Sequence, residues 1–416
     1  MTYDCIIIGG GPAGLFAGLR AAEKGFKVAV VERNNILGKK LRITGKGRCN
    51  ITNNCDFDTL ISNIPGNPKF LFSSLRNFSN IDIIDFFNSI GLETVVERGG
   101  RVFPKSQKAG DVAGSLVSAV KKNNNITLYM GSRVEKLLFD TNEQQQNSVQ
   151  GIVAVDTDGN EFRLFSTKII CATGGLSYPL TGSTGDGYIF AKAAGHSIIT
   201  PRASLAALLS KDLYVKELQG LSLRNISIKF FINDKPVYED FGEMLFTANG
   251  VSGPVILSAS AFYKSGCKAY ISIDLKPALE ADKLYQRLQR DFDDFDRKMY
   301  SNSLDKLLPK KLIPVFVKRS GIPSNKQVNQ LSREERMKIV SLLKNFTVNI
   351  SDIDCVNNAI VTAGGVNVKE INPKTMESKL CKGLFFAGEV IDADGYTGGF
   401  NLTIAFSTGY TAGNSI

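Results

Sequence analysis

The fold is decided by residues 4–14, which read Asp4-Cys-Ile-Ile-Ile-Gly-Gly-Gly-Pro-Ala-Gly14. The apolar run predicts a buried strand, and it breaks into a turn in which Gly9, Gly11 and Gly14 fit the pattern G-x-G-x-x-G. A helical apolar spacing follows, and then a second apolar run, Lys27-Val-Ala-Val-Val-Glu32, which ends on an acid. A strand, a glycine turn, a helix and an acid-ended strand within about 30 residues are typical of a dinucleotide-binding fold, in which Glu32 suits a ribose hydroxyl.

The length and composition indicate a globular protein of more than one domain. At 416 residues the chain exceeds the size at which a single core keeps growing. Its 43% apolar and 22% charged residues are ordinary for a globular protein. The first apolar run is too short to span a membrane, and Asp4 precedes it where a signal peptide would carry positive charge. We therefore expect a cytoplasmic protein without a membrane span.

Cysteine and histidine usage argues against a metal centre. The seven cysteines are scattered and none forms a C-x-x-C pair, so we expect thiols in a reducing compartment. His196 is the single histidine of the sequence. It follows Gly195 at a predicted helix end, where a capping or core role is expected. No metal site is predicted.

Positive charge is concentrated in two places. Residues 276–344 contain 16 Lys or Arg against 9 Asp or Glu, which gives this segment +7 of the total charge of +10. The second cluster contains no acid and consists of Lys39, Lys40, Arg42, Lys46 and Arg48. Such patches indicate a polyanionic partner, a nucleotide phosphate or RNA, although a solvated face gives the same pattern.

The order of strand and helix patterns predicts an α/β chain in which a Rossmann-type domain is interrupted twice. We assign residues 1–198 and 358–416 to the Rossmann-type FAD/NAD(P)-binding domain. Residues 199–276 and 345–357 show short alternating strands and predict a β-rich, barrel-like domain. Residues 277–344 predict a basic helical insert domain. The polar run 141–148 predicts the loop at a hairpin tip.

The C-terminal part of the chain distinguishes FAD from NAD. Leu384-Phe-Phe-Ala-Gly-Glu389 predicts a strand that leaves on a small residue, and a helix is predicted at about 399–413. Its N-terminal amides would face the pyrimidine edge of a flavin and stabilise negative charge there. Ala172-Thr-Gly-Gly175 is a similar strand exit. Simple NAD dehydrogenases do not need this terminal return, so we predict FAD.

The basic, glycine-rich segment Gly38–Asn53 leaves two readings open. It could wrap the pyrophosphate and carry Cys49 toward the isoalloxazine ring, or it could be a phosphate clamp in which the cysteine is incidental. Cys49 and Cys55 are separated by five residues. Dithiol flavoenzymes use closer pairs, so disulfide reductase chemistry is not expected.

Five spaced motifs resemble those of the HI0933-like (BaiN/YhiN-type) flavoproteins. The resemblance covers the whole chain, and its motifs are Thr44-Gly-Lys-Gly-Arg-Cys-Asn-Ile-Thr-Asn53, Gly100-Arg-Val-Phe-Pro104, Gly174-Gly-Leu-Ser-Tyr-Pro179, Thr181-Gly-Ser-Thr-Gly-Asp-Gly187 and Ala387-Gly-Glu389 with Gly395-Tyr-Thr-Gly-Gly-Phe-Asn401. It implies FAD, a three-domain fold with barrel and helical insertions, and reduction of activated C=C bonds. Members resemble reductases of bile-acid-like enones or of a ribosomal RNA uridine, which becomes dihydrouridine.

The residue patterns and the resemblance together predict the cofactor site. Its residues come from the two glycine-rich strand exits, the basic segment and the C-terminal return. They are Gly9, Gly11, Ala13, Gly14, Glu32, Arg33, Lys40, Leu41, Thr44, Gly45, Gly47, Arg48, Cys49, Asn50, Val134, Ala172, Thr173, Gly174, Gly175, Asp186, Gly388, Glu389, Gly399, Phe400 and Asn401.

The predicted reaction is reduction of a conjugated C=C bond by hydride from the reduced flavin. No second G-x-G-x-x-G stands between a strand and a helix, so NAD(P)H is expected to dock transiently. Cys49 and Tyr178 are candidate acids, and Arg48 or Arg101 could stabilise a developing enolate oxygen. The positive charge of residues 276–344 favours ribosomal RNA over a small enone as the substrate. A non-catalytic flavin- or RNA-binding scaffold is a further alternative.

Overall fold

The structure, a computed structural model, describes residues 1–141, 147–295 and 297–416. The loop predicted at 141–148 falls mainly on residues 142–146, which lie outside the described residues. The flanking strands, Arg133–Thr141 and Asn147–Val155, pair antiparallel.

The described residues form 21 strands and 12 α-helices, numbered in chain order. The strands are β1 Cys5–Ile8, β2 Val28–Glu32, β3 Thr52–Asn53, β4 Thr94–Val96, β5 Arg101–Pro104, β6 Ile126–Met130, β7 Arg133–Thr141, β8 Asn147–Val155, β9 Glu161–Phe165, β10 Ile169–Cys171, β11 Ile198–Ser204, β12 Leu208–Leu209, β13 Ser222–Ile232, β14 Lys235–Phe246, β15 Gly250–Ser252, β16 Ala269–Asp274, β17 Phe346–Ile350, β18 Asp352–Ile353, β19 Val361–Val366, β20 Cys381–Lys382 and β21 Leu384–Phe386. The helices are α1 Pro12–Glu23, α2 Phe57–Ser62, α3 Pro68–Asn77, α4 Asn80–Ser89, α5 Ala109–Lys122, α6 Asp186–Ala193, α7 Leu213–Glu217, α8 Pro254–Ser260, α9 Ala281–Asp293, α10 Ile313–Ser320, α11 Arg333–Lys344 and α12 Phe400–Asn414.

The chain divides into two compact units. The larger unit combines Met1–Ser204 with Val356–Ile416, and the smaller unit is Leu205–Cys355. The helical segment and most of the β-rich segments lie in the smaller unit, whereas residues 199–204 and 356–357 belong to the larger unit. The division of the chain into three domains, with the boundaries given above, stays a prediction.

The larger unit is built on a five-stranded parallel sheet in the order β21-β10-β1-β2-β6. The four residues of β1 and the five of β2 are all buried, as expected for strands covered on both faces. β21, from the end of the chain, therefore joins the same sheet as β1, from its beginning. The Rossmann-type α/β fold predicted from the sequence is confirmed.

The C-terminal helix α12 lies directly on α1, the first helix of the chain. Glycines allow this close approach: a side-chain carbon at Gly409 would lie 2.2 Å from the backbone oxygen of Ala13. At Gly413 it would lie 2.3 Å from the backbone oxygen of Ala17. The two helix backbones thus touch, and the predicted helix at about 399–413 is observed as Phe400–Asn414.

The smaller unit contains a seven-stranded sheet whose two edge strands are consecutive in sequence. Its order is β17-β16-β13-β14-β15-β12-β18 with antiparallel neighbours. The two ends of this order, β17 and β18, are separated in sequence by Ser351 alone, so one bent segment joins both edges. Helices α9, α10 and α11 share one hydrophobic core with the sheet, through side chains such as Leu288, Phe316 and Leu343.

His196, which follows α6, is buried in the larger unit and forms hydrogen bonds to residues near the end of the chain. Its Nδ1 lies 3.1 Å from Glu370 Oε2 and its Nε2 lies 2.7 Å from Ser378 Oγ. Burial lowers the pKa of His196, although Glu370 opposes the shift. This agrees with the core role expected from the sequence.

No described helix combines the length and hydropathy needed to cross a bilayer. Within residues 1–141, 147–295 and 297–416, no three His, Cys, Asp or Glu side chains are grouped to hold a metal ion.

Candidate active site

The carboxyl ends of four neighbouring parallel strands converge on one edge of the larger unit's sheet. Gly9 follows β1 and Glu32 ends β2. Ala172 follows β10 and donates its amide hydrogen to Ile8 O at 2.9 Å. Ala387 follows β21 and donates to Cys171 O at 3.1 Å. Open α/β sheets bind ligands at this edge, and the strand exits predicted from sequence meet there.

The three glycines of the opening motif have different structural roles. Gly9 has φ +108°, and a side-chain carbon there would lie 2.5 Å from Ala172 O. A side-chain carbon at Gly14 would lie 2.0 Å from Gly9 O, so this glycine lets α1 approach the strand. At Gly11 such a carbon would meet nothing within 4 Å. Gly11 therefore faces open space at the N-terminus of α1, the position in which this motif receives a pyrophosphate.

Glu32 is buried and held in place by three donors. Its Oε2 accepts from the Gly10 amide at 2.7 Å, and its Oε1 accepts from the amide and side chain of Asn34 at 2.8 and 2.6 Å. A carboxylate can accept about four hydrogen bonds, so capacity for one ribose hydroxyl remains.

Arg33 and Asp186 meet beside Glu32. Arg33 Nη1 lies 3.4 Å from Asp186 Oδ2, and Arg133 Nε lies 3.2 Å from the same oxygen. Val134 is buried next to Arg133. The structure thus gathers three of the predicted residues, which come from distant parts of the sequence.

The C-terminal return meets the first helix and the basic segment. A side-chain carbon at Gly388 would lie 2.8 Å from the Cβ of Ala13, and one at Gly399 would lie 2.5 Å from Thr52 O. Gly399 is the N-cap of α12, so the N-terminus of this helix lies against β3. Phe400 is buried. Asn401 accepts from the Gly395 amide at 2.9 Å and donates to Gly395 O at 2.7 Å, so its side chain closes the preceding loop.

A polar network that the sequence did not reveal links three of these segments. Lys40 Nζ lies 2.5 Å from both Glu389 Oε2 and Ser177 Oγ. Glu389 Oε1 accepts from Ser177 Oγ at 2.7 Å and from the Thr362 amide at 2.9 Å. Burial works to raise the pKa of Glu389, but the Lys40 ammonium and these donors hold it below its usual range. The network fixes an ion pair at the sheet edge.

The strand exit 172–175 is packed against this network. A side-chain carbon at Gly175 would lie 2.5 Å from Thr362 Oγ1, and one at Gly174 would lie 2.7 Å from Ser183 Oγ. The Thr173 hydroxyl donates to Gly174 O at 3.5 Å. Ser177 stands in a motif quoted above, so sequence reasoning could have included it. Thr362 lies in β19, where no sequence pattern marks it.

The basic segment places Cys49 inside the protein. A 3-10 turn covers Leu41–Gly47. The chain then folds back, and the Cys49 amide donates a hydrogen bond to Thr44 O at 3.0 Å. Cys49 has a positive φ of +59° and its side chain is fully buried. Burial raises the pKa of the Cys49 thiol to about 12. Its predicted role as a proton donor has no support in this packing and stays a prediction.

The next residue carries an unsatisfied polar atom. Asn50 Oδ1 is buried and, within the described chain, has no hydrogen-bond partner. Buried side-chain oxygens are usually paired, so this atom indicates a donor supplied by a ligand. Gly45 and Gly47 stand just before it, both with positive φ. A side-chain carbon at Gly45 would lie 3.0 Å from the Asn50 amide nitrogen, whereas one at Gly47 would meet nothing within 4 Å.

Arg48 and Arg101, both predicted as catalytic, are brought together by Glu97. Arg48 pairs with Glu97 Oε1, and Arg101 Nη2 lies 3.7 Å from Glu97 Oε2. Both guanidinium groups contact the Phe103 ring, at 4.1 and 5.7 Å from its centroid. Tyr178 is next to Ser177, has a φ of +51° and keeps 36% of its surface exposed. No described contact joins Tyr178 to the arginine pair.

Comparison with known proteins places the chain in a family. The model of the HI0933-like protein Rossmann domain matches residues 3–415. The chain belongs to the HI0933-like family. This is a family of FAD-dependent oxidoreductases, so the resemblance expected from the motifs is confirmed, and membership argues against a non-catalytic scaffold.

Curated HI0933-like relatives match along nearly their whole length. The chain is 31% identical over 415 residues to a 3-dehydro-bile acid delta(4,6)-reductase of Clostridium scindens, covering 98% of each protein. It is 28% identical over 419 residues to the ribosomal RNA dihydrouridine synthase of Escherichia coli, covering 100% of this chain and 98% of the relative. It is 31% identical to the enzyme of that name from Haemophilus influenzae, covering 99% and 98%.

A solved structure shows the same fold at low identity. The 3-ketosteroid delta1-dehydrogenase of Sterolibacterium denitrificans superposes with a TM-score of 0.54 at 14% identity, covering 99% of each chain. The likeness concerns the fold alone.

The residues of this HI0933-like chain fit FAD. Gly11 leaves open space at the N-terminus of α1, Glu32 retains an acceptor position, and Asn50 Oδ1 has no donor within the described chain. Gly388 and the N-terminus of α12 bring the end of the chain to the same edge. The individual contacts of the predicted residues with the cofactor stay predictions.

Proposed function

We propose that this oxidoreductase reduces a uridine of ribosomal RNA to dihydrouridine, with NAD(P)H as the reductant. When bound and reduced by NAD(P)H, FAD would supply the hydride for the C5=C6 bond of the base, a conjugated C=C next to a carbonyl, and an acidic side chain of the protein would supply the proton for the neighbouring carbon. The full-length similarity to two ribosomal RNA dihydrouridine synthases supports the proposal, and the charge of the chain favours it over a small neutral substrate.

The observation that carries the RNA substrate is the basic surface of residues 276–344. Lysines and arginines of this segment are exposed and can contact phosphates while the target base leaves its stack. They include Lys283, Arg290, Lys298, Lys306, Lys310, Lys311, Lys318, Arg333 and Lys338. Phosphate contacts of this kind position RNA independently of its sequence.

The chain's own side chains supply binding and proton transfer. Lys40 and Glu389 form a fixed ion pair at the sheet edge. Tyr178 is an exposed residue next to Ser177, which contacts this pair, so it is the more accessible of the two proton-donor candidates. Cys49 is buried. Proton donation to the carbon next to the reduced position needs a group within hydrogen-bond reach of the substrate.

The test measures dihydrouridine in ribosomal RNA. RNA purified from ribosomes of a strain lacking this gene is digested to nucleosides and quantified by mass spectrometry, with transfer RNA removed beforehand. We expect the dihydrouridine of the ribosomal fraction to fall, and to return when the purified holoenzyme and NADPH are added. Unchanged dihydrouridine in the deletion strain would contradict the proposal.

The second candidate is reduction of a small conjugated enone. The 31% identity to the bile acid reductase, over 98% of both chains, favours it. Anaerobic mixing of the NADPH-reduced holoenzyme with a 3-oxo-Δ4 steroid tests it through reappearance of the oxidised flavin spectrum. Fast reoxidation by the steroid, with none by ribosomal RNA, would select the enone. A flavin that neither NADH nor NADPH bleaches would remove NAD(P)H as the donor for both substrates.

A further inference from the structure

Arg48 and Arg101 form a structured cationic pair in the larger unit. Glu97 bridges the two guanidinium groups, and the Phe103 ring lies against both. Gln107 Oε1 accepts from Arg48 Nε at 2.5 Å, and Arg98 O accepts from Arg101 Nε at 3.1 Å. Each arginine is therefore held along its Nε edge.

Both arginines remain available to a ligand. Their side chains keep 38% and 43% of their surface exposed, and neither has a described hydrogen bond through Nη1. An arginine already held by protein contacts loses little conformational entropy when an anion binds. The remaining planar edges match two oxygens of a phosphate group. One carboxylate against two guanidinium groups leaves net positive charge.

The surroundings extend this charge. Lys46, Arg98 and Lys108 are exposed, and none of them forms an ion pair within the described residues. A row of separate cations suits a phosphodiester chain better than a single carboxylate, which two arginines alone would satisfy. Phe103 is buried under the pair, so it supports the arginines and does not stack on a base.

The pair lies at the end of the site where α12 begins. Asn53 donates to Gly99 O at 3.0 Å and to Gly398 O at 3.1 Å, which ties the Arg98–Arg101 turn to the N-terminus of α12. Gly45, just before Asn50, would place a side-chain carbon 3.8 Å from the Phe103 ring. The glycine turn that receives the pyrophosphate is at Gly9–Gly11, in another segment.

We propose that Arg48 and Arg101 clamp a phosphodiester group of the RNA that carries the target uridine. The inference rests on the proposed function and changes the role of these arginines, from stabilising an enolate to positioning the substrate. Glu97 contacts both guanidinium groups, and its single negative charge does not neutralise both.

The test compares RNA binding by the holoenzyme and by an Arg48→Gln/Arg101→Gln variant. A fluorescein-labelled, uridine-containing single-stranded RNA is titrated at several KCl concentrations, and its Kd is measured by anisotropy. We expect the variant to bind about 10-fold more weakly at low salt, with the slope of log Kd against log salt reduced by about 1 to 2. Lys268→Gln, a matched change at an exposed lysine paired with Asp234, should leave the slope unchanged.

Two further readouts separate the possible failures. FAD content, measured by absorbance after gel filtration, should equal that of the unmodified enzyme; loss of FAD would show that the arginines hold the cofactor and would overturn the clamp. The clamp would also be overturned if the salt slope of the variant were unchanged. The same holds if the variant lost binding to a steroid carboxylate but not to RNA. If the slope falls as expected while the deletion strain keeps its dihydrouridine, the proposed function fails, and Arg48 and Arg101 are shown to contact RNA phosphates without a target uridine.

Discussion

The chemical properties of several residues in this chain depend on residues that are distant in sequence but close in space. Lys40 and Glu389 are 349 positions apart in sequence, yet their charges lie 2.5 Å apart with about a fifth of each side chain exposed. Cys49, which the sequence places in a basic loop, lies instead in an apolar cluster with Leu41 and Ile51. Residue type alone therefore does not say which group titrates or reacts.

The Lys40–Glu389 pair should contribute stability that depends on pH. We expect Lys40→Met to lower the free energy of unfolding by about 1–3 kcal/mol at pH 7, because the Glu389 carboxylate loses its cation in a half-buried site. The pKa of Glu389 is lowered from 4.5, so the contribution is present above pH 4.5 and disappears as the pH falls through the folded-state pKa. Urea denaturation of the variant and of the unmodified protein, at pH 7 and at pH 4, measures the difference in their free energy of unfolding at each pH.

The matched control is Lys40→Met combined with Glu389→Gln. Removing both charges should restore part of the loss at pH 7, since no carboxylate is left without a partner. A double variant as unstable as the sum of the two single variants would show that the pair is not coupled.

Cys49 should be unreactive in the folded protein. Its pKa of about 12 and full burial leave almost no thiolate at pH 8, whereas Cys355 is exposed. We expect iodoacetamide at pH 8 to modify Cys355 within minutes and to leave Cys49 intact until urea is added, as measured by peptide mass spectrometry. Rapid alkylation of Cys49 in the folded enzyme would show that the loop opens and would support the predicted role of Cys49 as an acid.

At the scale of elements, the contact between α1 and α12 holds the two ends of the chain together. α12 contains no charged residue, and eleven of its fifteen residues are buried. Its glycines at 409 and 413 face α1 backbone atoms directly. Glycine in a helix interior normally lowers the stability of the helix. The close packing of α12 on α1 must therefore compensate for this loss.

Adding a methyl group at this contact should destabilise the larger unit. We expect Gly409→Ala to cost about 1–3 kcal/mol, because the new carbon would lie 2.2 Å from Ala13 O and the helices must separate. The same change at Gly114 in α5, where a side-chain carbon meets nothing within 4 Å, should stabilise by about 0.5–1 kcal/mol. Thermal unfolding followed by circular dichroism compares the two, and equal shifts would contradict the packing argument.

At the scale of the whole molecule, positive charge is distributed over both units. The larger unit carries the arginine pair, and residues 276–344 of the smaller unit carry exposed lysines. An RNA substrate long enough to contact several of these cations would bind with a steep salt dependence.

Neutralising exposed lysines of the smaller unit should weaken RNA binding without changing the flavin. Lys283, Lys310 and Lys338 are exposed and form no described ion pair. We expect their triple change to glutamine to reduce the salt slope for ribosomal RNA binding by about 2–3, as measured by filter binding. A matched change at Lys24, Lys121 and Lys122, exposed lysines of the larger unit, should have little effect. Equal effects of the two triple variants would indicate non-specific attraction.

Local patterns in the sequence are enough to predict the dinucleotide fold, the C-terminal return and the candidate cofactor segments. Apolar periodicity predicts β1, α1 and β2, and a glycine is needed wherever the backbone has positive φ or a close neighbour. The predicted residues Gly9, Ala172 and Gly388 accordingly meet at one sheet edge.

The pairing of side chains, by contrast, becomes visible only in the folded chain. The Lys40–Ser177–Glu389 network, the burial of Cys49 and the Glu97 bridge between Arg48 and Arg101 each join segments far apart in sequence. Such contacts depend on distances of a few ångströms set by the packing of strands and helices, and no local pattern encodes them. The physical reason is that burial and Coulomb interaction are properties of the folded surroundings, not of the residue type.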